Sequence, residues 1–465
     1  MSLPAVTARL YSSDEVQYFS YLRSLYFDQD VSFENEYRYF YDRNIAQSGG
    51  FHETFLERET AARRRVNYGT LGAAILWSPF YAAADAWTRL SGSHEANGFT
   101  TPYVRAVAYG SAFYGFLAVL LSIRAARVIG GSPDLKVGPT EGPAAPMGGS
   151  PDLQAGRIPG AFIAGIAIWL GSPLLFYMYV APPFSHACSA FAVALFASVW
   201  LHVRRRWSPG GAFALGLCAA LLAMVREQDV FLALGPAADF AWSARSSVRS
   251  FAGAALAGVT GTLLGYLPQL LAYNALNGYP GPAEHVQRKM YWYAPHGLQV
   301  LASPHHGLFF WTPLALLALV GLFFVRERIV AISLALMAVS QVYVAGSVES
   351  WTVAGAFGQR RFVNLTVILV IGLAALWTAA AASSRPADVR RPTRSTALMV
   401  TVALCVWWNL ALMAQFATRL MDRQRLEPAR NAYHAFVTLP LSGPSLLHRY
   451  LTDRASFYES QPKQQ

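Results

Sequence analysis

Four short stretches of the chain carry most of the residue types that can take part in chemistry. The first, "YSSDEVQYFSYLRSLYFD", opens on the carboxylates Asp14 and Glu15 and continues in tyrosine, phenylalanine and leucine. The second, "MVREQDVF", sets Arg226, Glu227 and Asp229 between two apolar runs. The third, "YPGPAEHVQRKMYWYAPHGLQVLASPHHGLFFWTPL" (279–314), holds Lys289, Tyr291, Tyr293, His305 and His306 among many aromatic rings. The fourth, "VESWTVAGAFGQRRFVNL" (348–365), carries Gly355 and Gly358 ahead of Gln359, Arg360 and Arg361.

Each stretch admits two readings. Ser12 or Ser13 can cap a helix, and acids suit its first turn because they face the positive end of the dipole. Val16, Phe19, Leu22 and Tyr26 then recur at helical spacing, so an amphipathic helix on the membrane surface accounts for Asp14 and Glu15 without catalysis. Charges at membrane depth cost a few kcal/mol each and face a cavity or a partner. Arg226 is thus either part of a hydrated surface turn or an arginine aimed at a phosphate or carboxylate. Aromatic belts explain the third stretch, yet cations and tyrosines grouped there also suit a lipid-linked phosphate. Its two adjacent histidines lack the spacing of a zinc motif. Arg360 and Arg361 are either a snorkelling pair or, on the outward side of a membrane protein, the receivers of an anionic ligand.

The elements that must position these residues are apolar. The chain has 465 residues, 54% hydrophobic and only 14% charged, with mean hydropathy +0.30. Soluble domains carry about 25% charged residues, so an all-α polytopic membrane protein is expected. Apolar runs lie at roughly 104–123, 160–180, 185–203, 211–225, 228–243, 251–273, 306–325, 329–347, 362–381 and 397–417, which predicts about ten transmembrane helices. The run 70–87 is broken by Pro79 and carries Asp85, which predicts an interfacial or re-entrant helix rather than a span. Domain organisation follows: residues 1–103 an outer loop, 104–417 the membrane domain, 418–465 a tail on the outer side.

Charge gives the orientation. With residues 1–103 outside, the inner loops contain Arg124 and Arg127, Arg204 to Arg206, Arg245 and Arg249, Arg326 and Arg328, then Arg385, Arg390, Arg391 and Arg394. All five are basic, as cytoplasmic loops are; Arg419, Arg423 and Arg425 in the tail run against the rule. The net charge of +11 is therefore read as loop topology and not as nucleic-acid binding. The Gly/Pro-rich loop 125–158, with "GGSPDL" at 130–135 and 148–153, reads as a flexible linker. Cys188, Cys218 and Cys405 all lie in apolar runs, which points to neither a disulfide framework nor a metal cluster. Residues 1–13 lack the apolar core of a cleavable signal peptide. No nucleotide-binding or metalloprotease motif stands at a credible position, so an enzyme here needs an activated substrate reached from the membrane.

In this pattern the chain resembles the GT-C superfamily of integral-membrane glycosyltransferases, in particular the bacterial branch near protein O-mannosyltransferases and lipid A aminoarabinose transferases. Asp14-Glu15 in "YSSDE" matches the acidic pair of that family's first outer loop, and "NYGTLGAAILWSPFYAAADAW" looks like the interfacial helix that follows it. "MVREQD" and "GAFGQRRF" fall where the branch has basic residues near the outer face. The resemblance implies transfer of a sugar from a polyprenyl-phosphate donor to a lipid, glycan or protein acceptor, with inversion, on the outer face of a bacterial inner membrane. It implies Asp14 as general base, with Glu15 supporting it or positioning the acceptor. Arg226, Lys289, Arg360 and Arg361 become candidates to neutralise the departing phosphate, with Tyr291, Tyr293, His305 and His306 as pocket candidates. No cofactor beyond the lipid-linked donor is implied; carboxylates at such a site could hold a divalent metal, although no dedicated ligand set is present. The family has a transmembrane helix ahead of the acidic pair, whereas thirteen residues precede Asp14. Either an in-frame apolar stretch of about 20 residues upstream of Met1 supplies that helix, giving eleven, or the chain does without it. A transporter or flippase for a lipid-linked or small anionic substrate is the other class considered; it places charge at mid-membrane in repeated, broken helices, and no repeat of the spans is evident.

Overall fold

The computed structural model of the chain describes residues 5–10, 12–45, 50–131, 160–245, 247–382, 394–453 and 456. The repeated "GGSPDL" segment from 132 onward lies outside the described residues. So do Arg385, Arg390 and Arg391, and all of 454–465 except residue 456.

The described residues are helical throughout, with isolated bridges but no strand. In chain order the helices are α1 (Ser13–Arg23), α2 (Glu34–Asp42), α3 (Gly72–Ser91), α4 (Thr101–Gly130), α5 (Gly160–Leu170), α6 (Leu174–Tyr179), α7 (His186–Val203), α8 (Pro209–Val225), α9 (Leu234–Ala244) and α10 (Val248–Asn277). They continue with α11 (Glu284–Arg288), α12 (Gly297–Leu301), α13 (Leu308–Trp311), α14 (Pro313–Gly321), α15 (Arg328–Ser347), α16 (Thr366–Ala382), α17 (Arg394–Thr418), α18 (Pro428–Tyr433) and α19 (Leu439–Thr452).

Among the described residues, six helical stretches are long and apolar enough to cross a membrane: α4, α7, α10, α15, Arg360–Ala382 and α17. At 1.5 Å per residue, about 20 residues match the hydrocarbon thickness. These six correspond to the expected runs 104–123, 185–203, 251–273, 329–347, 362–381 and 397–417. The remaining four runs are interrupted or shorter. Gly171 and Pro173 divide 160–180 into α5 and α6, and Pro313 divides 306–325 into α13 and α14. The run 228–243 begins as a 3-10 turn, Glu227–Ala233, before α9, and α8 is 17 residues long. Proline supplies no amide hydrogen and clashes with the preceding turn, so apolar composition alone overstates helix continuity there. The linker also starts later than 125, because α4 runs on to Gly130 and ends at a left-handed Gly131.

Packing fits an apolar surrounding. α10 leaves Leu256, Val259, Leu263, Leu264, Leu267 and Leu271 exposed, an apolar surface that water would penalise and lipid would not. Its contact with α8 is backbone against backbone. A Cβ on Gly216 would stand 2.1 Å from the Gly258 carbonyl oxygen, and one on Gly261 would stand 2.3 Å from that of Phe213. Small residues let membrane helices approach this closely, where dispersion and not hydrophobic exclusion holds them.

The first hundred residues form an aromatic cap. α1 and α3 run side by side in the same direction: Tyr18 meets Trp77 (ring centroids 6.5 Å apart), Phe19 meets Tyr81 (6.1 Å), and Tyr26 reaches Asp85 (3.3 Å). The expected interfacial run 70–87 is α3, which contains Pro79 and does not qualify among the six apolar stretches. Its Asp85 accepts hydrogen bonds from Tyr103 (2.6 Å) and Arg89 (2.8 Å). The α1–α3 pair is pinned to the helical bundle by Trp77 Nε1 donating to Ser111 on α4 (2.8 Å) and by Leu71 N donating to Gln269 on α10 (2.8 Å).

Candidate functional site

The start of α1 decides which acid faces the site. Ser12 and Glu15 form a capping box: Glu15 N donates to Ser12 Oγ (3.3 Å), and Ser12 N donates to Glu15 Oε2 (3.0 Å). This folds the Glu15 carboxylate back over the helix end and buries it completely. Asp14, one position earlier and so about 100° around the helix, points the other way and pairs with Arg360 at 2.9 Å. Tyr18, one turn on from Asp14, shares its face. Ser185, Arg226, Asp14 and Arg360 surround its phenol, and burial pushes it above its usual pKa.

Arg226 arrives from the opposite direction. It is the first extended residue after α8, and Thr70 fixes that helix end by donating to the Val225 carbonyl (2.9 Å). Gly72 permits the approach, since a Cβ there would lie 2.4 Å from the backbone of Met224 and Val225. Arg226 Nη1 lies 2.9 Å from Nδ1 of His186, the first residue of α7. The His186 ring is flanked by Tyr177 (4.4 Å) and Phe184 (5.6 Å). Arg360 lies over the same Phe184, 5.4 Å from its centroid.

Arg360 and Arg361 follow a tight turn. Gly358 has φ +61, and Gln359 Nε2 donates to the Trp351 carbonyl (3.1 Å). Arg361 is buried and donates to both the carbonyl (2.8 Å) and the Oγ (3.1 Å) of Ser350. The charges of Arg226, Arg360 and Asp14 all act on it. Beneath the cluster, Asp229 accepts from Ser189 (2.5 Å) and Asn364 (2.7 Å), and Asn364 also donates to Gln341 (2.8 Å). Arg226, Arg360 and Arg361 thus gather around Asp14, and Arg226 also acts on Asp229. At the other end of α7 the balance is reversed: Arg204 alone pairs with both Asp239 (2.8 Å) and Glu327 (2.6 Å). Concentrated, partly buried cation charge is costly unless an anion completes it, so the cluster is chemically an anion receiver with one accessible carboxylate at its edge.

Of the residues singled out in the sequence, Asp14, Arg226, Arg360 and Arg361 come together. Glu15 is held in the capping box. Lys289 lies beside Glu349, whose amide donates to the Lys289 carbonyl (2.8 Å), and neighbours His285. Tyr291 and Tyr293 meet edge to face (6.3 Å) on an exposed surface, Tyr293 being 86% exposed. His305 is exposed. His306 is buried, stacks on Trp311 (4.7 Å) and bonds the Ala356 carbonyl through Nε2 (2.9 Å), so it braces the turn ahead of Arg360. Glu227 turns toward α10 and accepts from Tyr273 (2.5 Å). Tyr18, Tyr177, Phe184 and His186 join the site without having been singled out. The one local signal for the last two is "APPFSH" (181–186), where paired prolines break the apolar sequence and the next helix begins on a polar residue. Among the described residues no three His, Cys, Asp or Glu side chains gather as metal ligands do. Compared with known protein families and with curated proteins, the chain matches none of them.

Proposed function

We propose that this chain is a multi-pass membrane glycosyltransferase that moves a sugar from a polyprenyl-phosphate carrier to an acceptor hydroxyl on the outer face of the membrane. The observation that carries the reading is the convergence of one accessible carboxylate, Asp14, with Arg226, Arg360 and Arg361. In the reaction the acceptor oxygen bonds the anomeric carbon and its proton passes to Asp14. The bond from that carbon to the phosphate oxygen breaks, and its electron pair leaves with the phosphate. A phosphodiester of one negative charge becomes a monoester of about −1.5 to −2. Three guanidinium groups favour the second species over the first, and so favour the transition state over bound donor. Arg226 and Arg360 are the phosphate contacts, with Arg361 as the buried charge behind them. Lys289, Tyr291, Tyr293 and His305 belong to the outer loops through which an acceptor approaches.

A second feature supports a lipid-borne donor. An apolar groove of about 500 Å³ is lined by Leu175, Tyr179 and Val180 together with Met413, Leu439 and Leu446. Leu175 and Tyr179 lie on α6, the helix that also carries Tyr177 to the site, and the apolar lining suits an isoprenoid chain. In this reading the interrupted segments around α5–α6, α8, α9 and α13–α14 complete about ten crossings, with α1 to α3 lying on the outer surface.

The test is sugar transfer in membranes from a polyprenyl-phosphate-linked donor. Asp14→Asn abolishes it while the protein still inserts; full retained activity removes Asp14 from the mechanism. Uptake or flipping of a lipid-linked substrate in proteoliposomes, without a glycosylated product, makes the chain a transporter instead.

A further inference from the structure

His186 has no role in the mechanism above, yet it lies at the centre of the cluster and is 3% exposed. Its Nδ1 is 2.9 Å from Arg226 Nη1. A guanidinium can only donate, so Nδ1 accepts and the ring proton belongs on Nε2. Nε2 makes no hydrogen bond among the described residues. The ring cannot swing away, because Tyr177 and Phe184 pack against it. α7 also begins at this residue, and Ser185 gives that helix end no side-chain cap. The first turn of an 18-residue helix therefore opens onto the arginines with its amide hydrogens free of a side-chain cap.

We propose that His186 is a phosphate ligand that acts as a neutral donor, its Nε2–H and the amide end of α7 binding an oxygen of the anion that Arg360 holds from the other side. Arg226 then acts twice, as a phosphate contact and as the positioning residue that fixes the His186 tautomer. The charged groups acting on His186 are Arg226 from the end of α8 and Arg360 and Arg361 from the segment leading into α16; Tyr177 faces it from α6. All three charges are cationic. An imidazolium in their midst would add a fourth, and it would surrender the acceptor that Arg226 uses. The proposal rests on the glycosyltransferase reading only for the identity of the anion.

The experiment is binding of polyprenyl monophosphate, and separately of inorganic phosphate, to the purified full chain in lipid nanodiscs. His186→Ala weakens binding about tenfold or more, the usual loss for a hydrogen bond to a charged group. His186→Gln stays within about threefold of the parent, because its carbonyl can face Arg226 and its amide can donate to the phosphate. Affinity holds or rises from about pH 5.5 to about pH 7.5 as the monoester takes its second charge at about pH 6. Tighter binding of the lipid than of inorganic phosphate marks a lipid headgroup as the ligand, and equal binding marks free phosphate; dependence on His186 in either arm supports the proposal. It is overturned by binding of neither probe, by unchanged affinity in His186→Ala, by a Gln variant as weak as the Ala variant, or by affinity that falls as pH rises through about 6 to 7. Sugar transfer is assayed apart from this, so a chain that binds phosphate through His186 but moves no sugar ends the glycosyltransferase reading and leaves this one standing.

Discussion

Asp14 and Arg360 form an ion pair of 2.9 Å in which the carboxylate is the more exposed partner, at 41% against 25% for the arginine. A base locked to a cation is not free to take a proton, and a cation locked to a base is not free to bind phosphate. In the proposed reaction the donor's phosphate would resolve both, competing with Asp14 for Arg360 and releasing the carboxylate in the same event. Removing Asp14 should therefore separate binding from catalysis. A partly exposed pair is worth up to about 1 kcal/mol, so Asp14→Asn is expected to bind polyprenyl monophosphate up to about fivefold more tightly while losing transfer. Weaker binding in that variant, measured by titration in nanodiscs, counts against the competition.

Glu15 separates by the same logic. Its carboxylate closes the capping box with Ser12, and glutamine fills that position in capping boxes as well as glutamate does. Glu15→Gln is expected to keep both fold and sugar transfer. Glu15→Ala lowers stability by about 1 kcal/mol through loss of the cap. Thermal melts alongside transfer assays check both, and a transfer-dead Glu15→Gln with an unchanged melt would give Glu15 a direct part in the chemistry.

Apolar run length was enough to outline six of the long helices, because hydrocarbon thickness sets a length that composition reveals directly. Helix breaks at Gly171 to Pro173 and at Pro313 are local backbone events that run length does not register. The arginines at 226, 360 and 361 stood out because charge between apolar runs is conspicuous. His186 did not: a single imidazole after "PPFS" gains its meaning only from Arg226, 40 residues away, and such a pairing has no local signature. The choice between Asp14 and Glu15 likewise needed the capping geometry, since adjacent carboxylates are equivalent until a helix sets their directions.

A pH effect on stability is expected from Glu36. Its carboxylate is fully buried on α2 and accepts from Arg23 at 2.9 Å. Arg23 also pairs with Asp28, so its charge is shared, and burial raises Glu36 from 4.5 to about 7. An acid whose folded pKa lies above its unfolded value binds more protons when folded. Stability therefore falls as pH rises from about 4.5 to about 7. The detergent-solubilised protein is expected to melt at a higher temperature near about pH 5 than near about pH 8, and Glu36→Gln to flatten that difference. A melt that rises with pH in the parent, and not in the variant, would show that Arg23 keeps Glu36 ionised.

The turn that delivers Arg360 offers a paired test at two glycines. Gly358 has φ +61, and a Cβ there would lie 2.7 Å from Pro173 Cγ. Gly355 has φ +81, but a Cβ there would have nothing within 4 Å. Alanine at either site meets the left-handed backbone penalty, roughly 1–2 kcal/mol. Only at Gly358 must the chain also move, and the residue two places on is Arg360. Pro173 cannot yield readily, because its ring is rigid and it leads directly into α6, which carries Tyr177 to the site. Gly358→Ala is thus expected to weaken polyprenyl monophosphate binding and transfer at least tenfold, since displacement of about 1 Å can cost that much or more. Gly355→Ala lowers the melting temperature but leaves affinity near that of the parent. Equal loss of affinity in the two variants would mean that backbone strain alone, and not the aim of Arg360, governs the site.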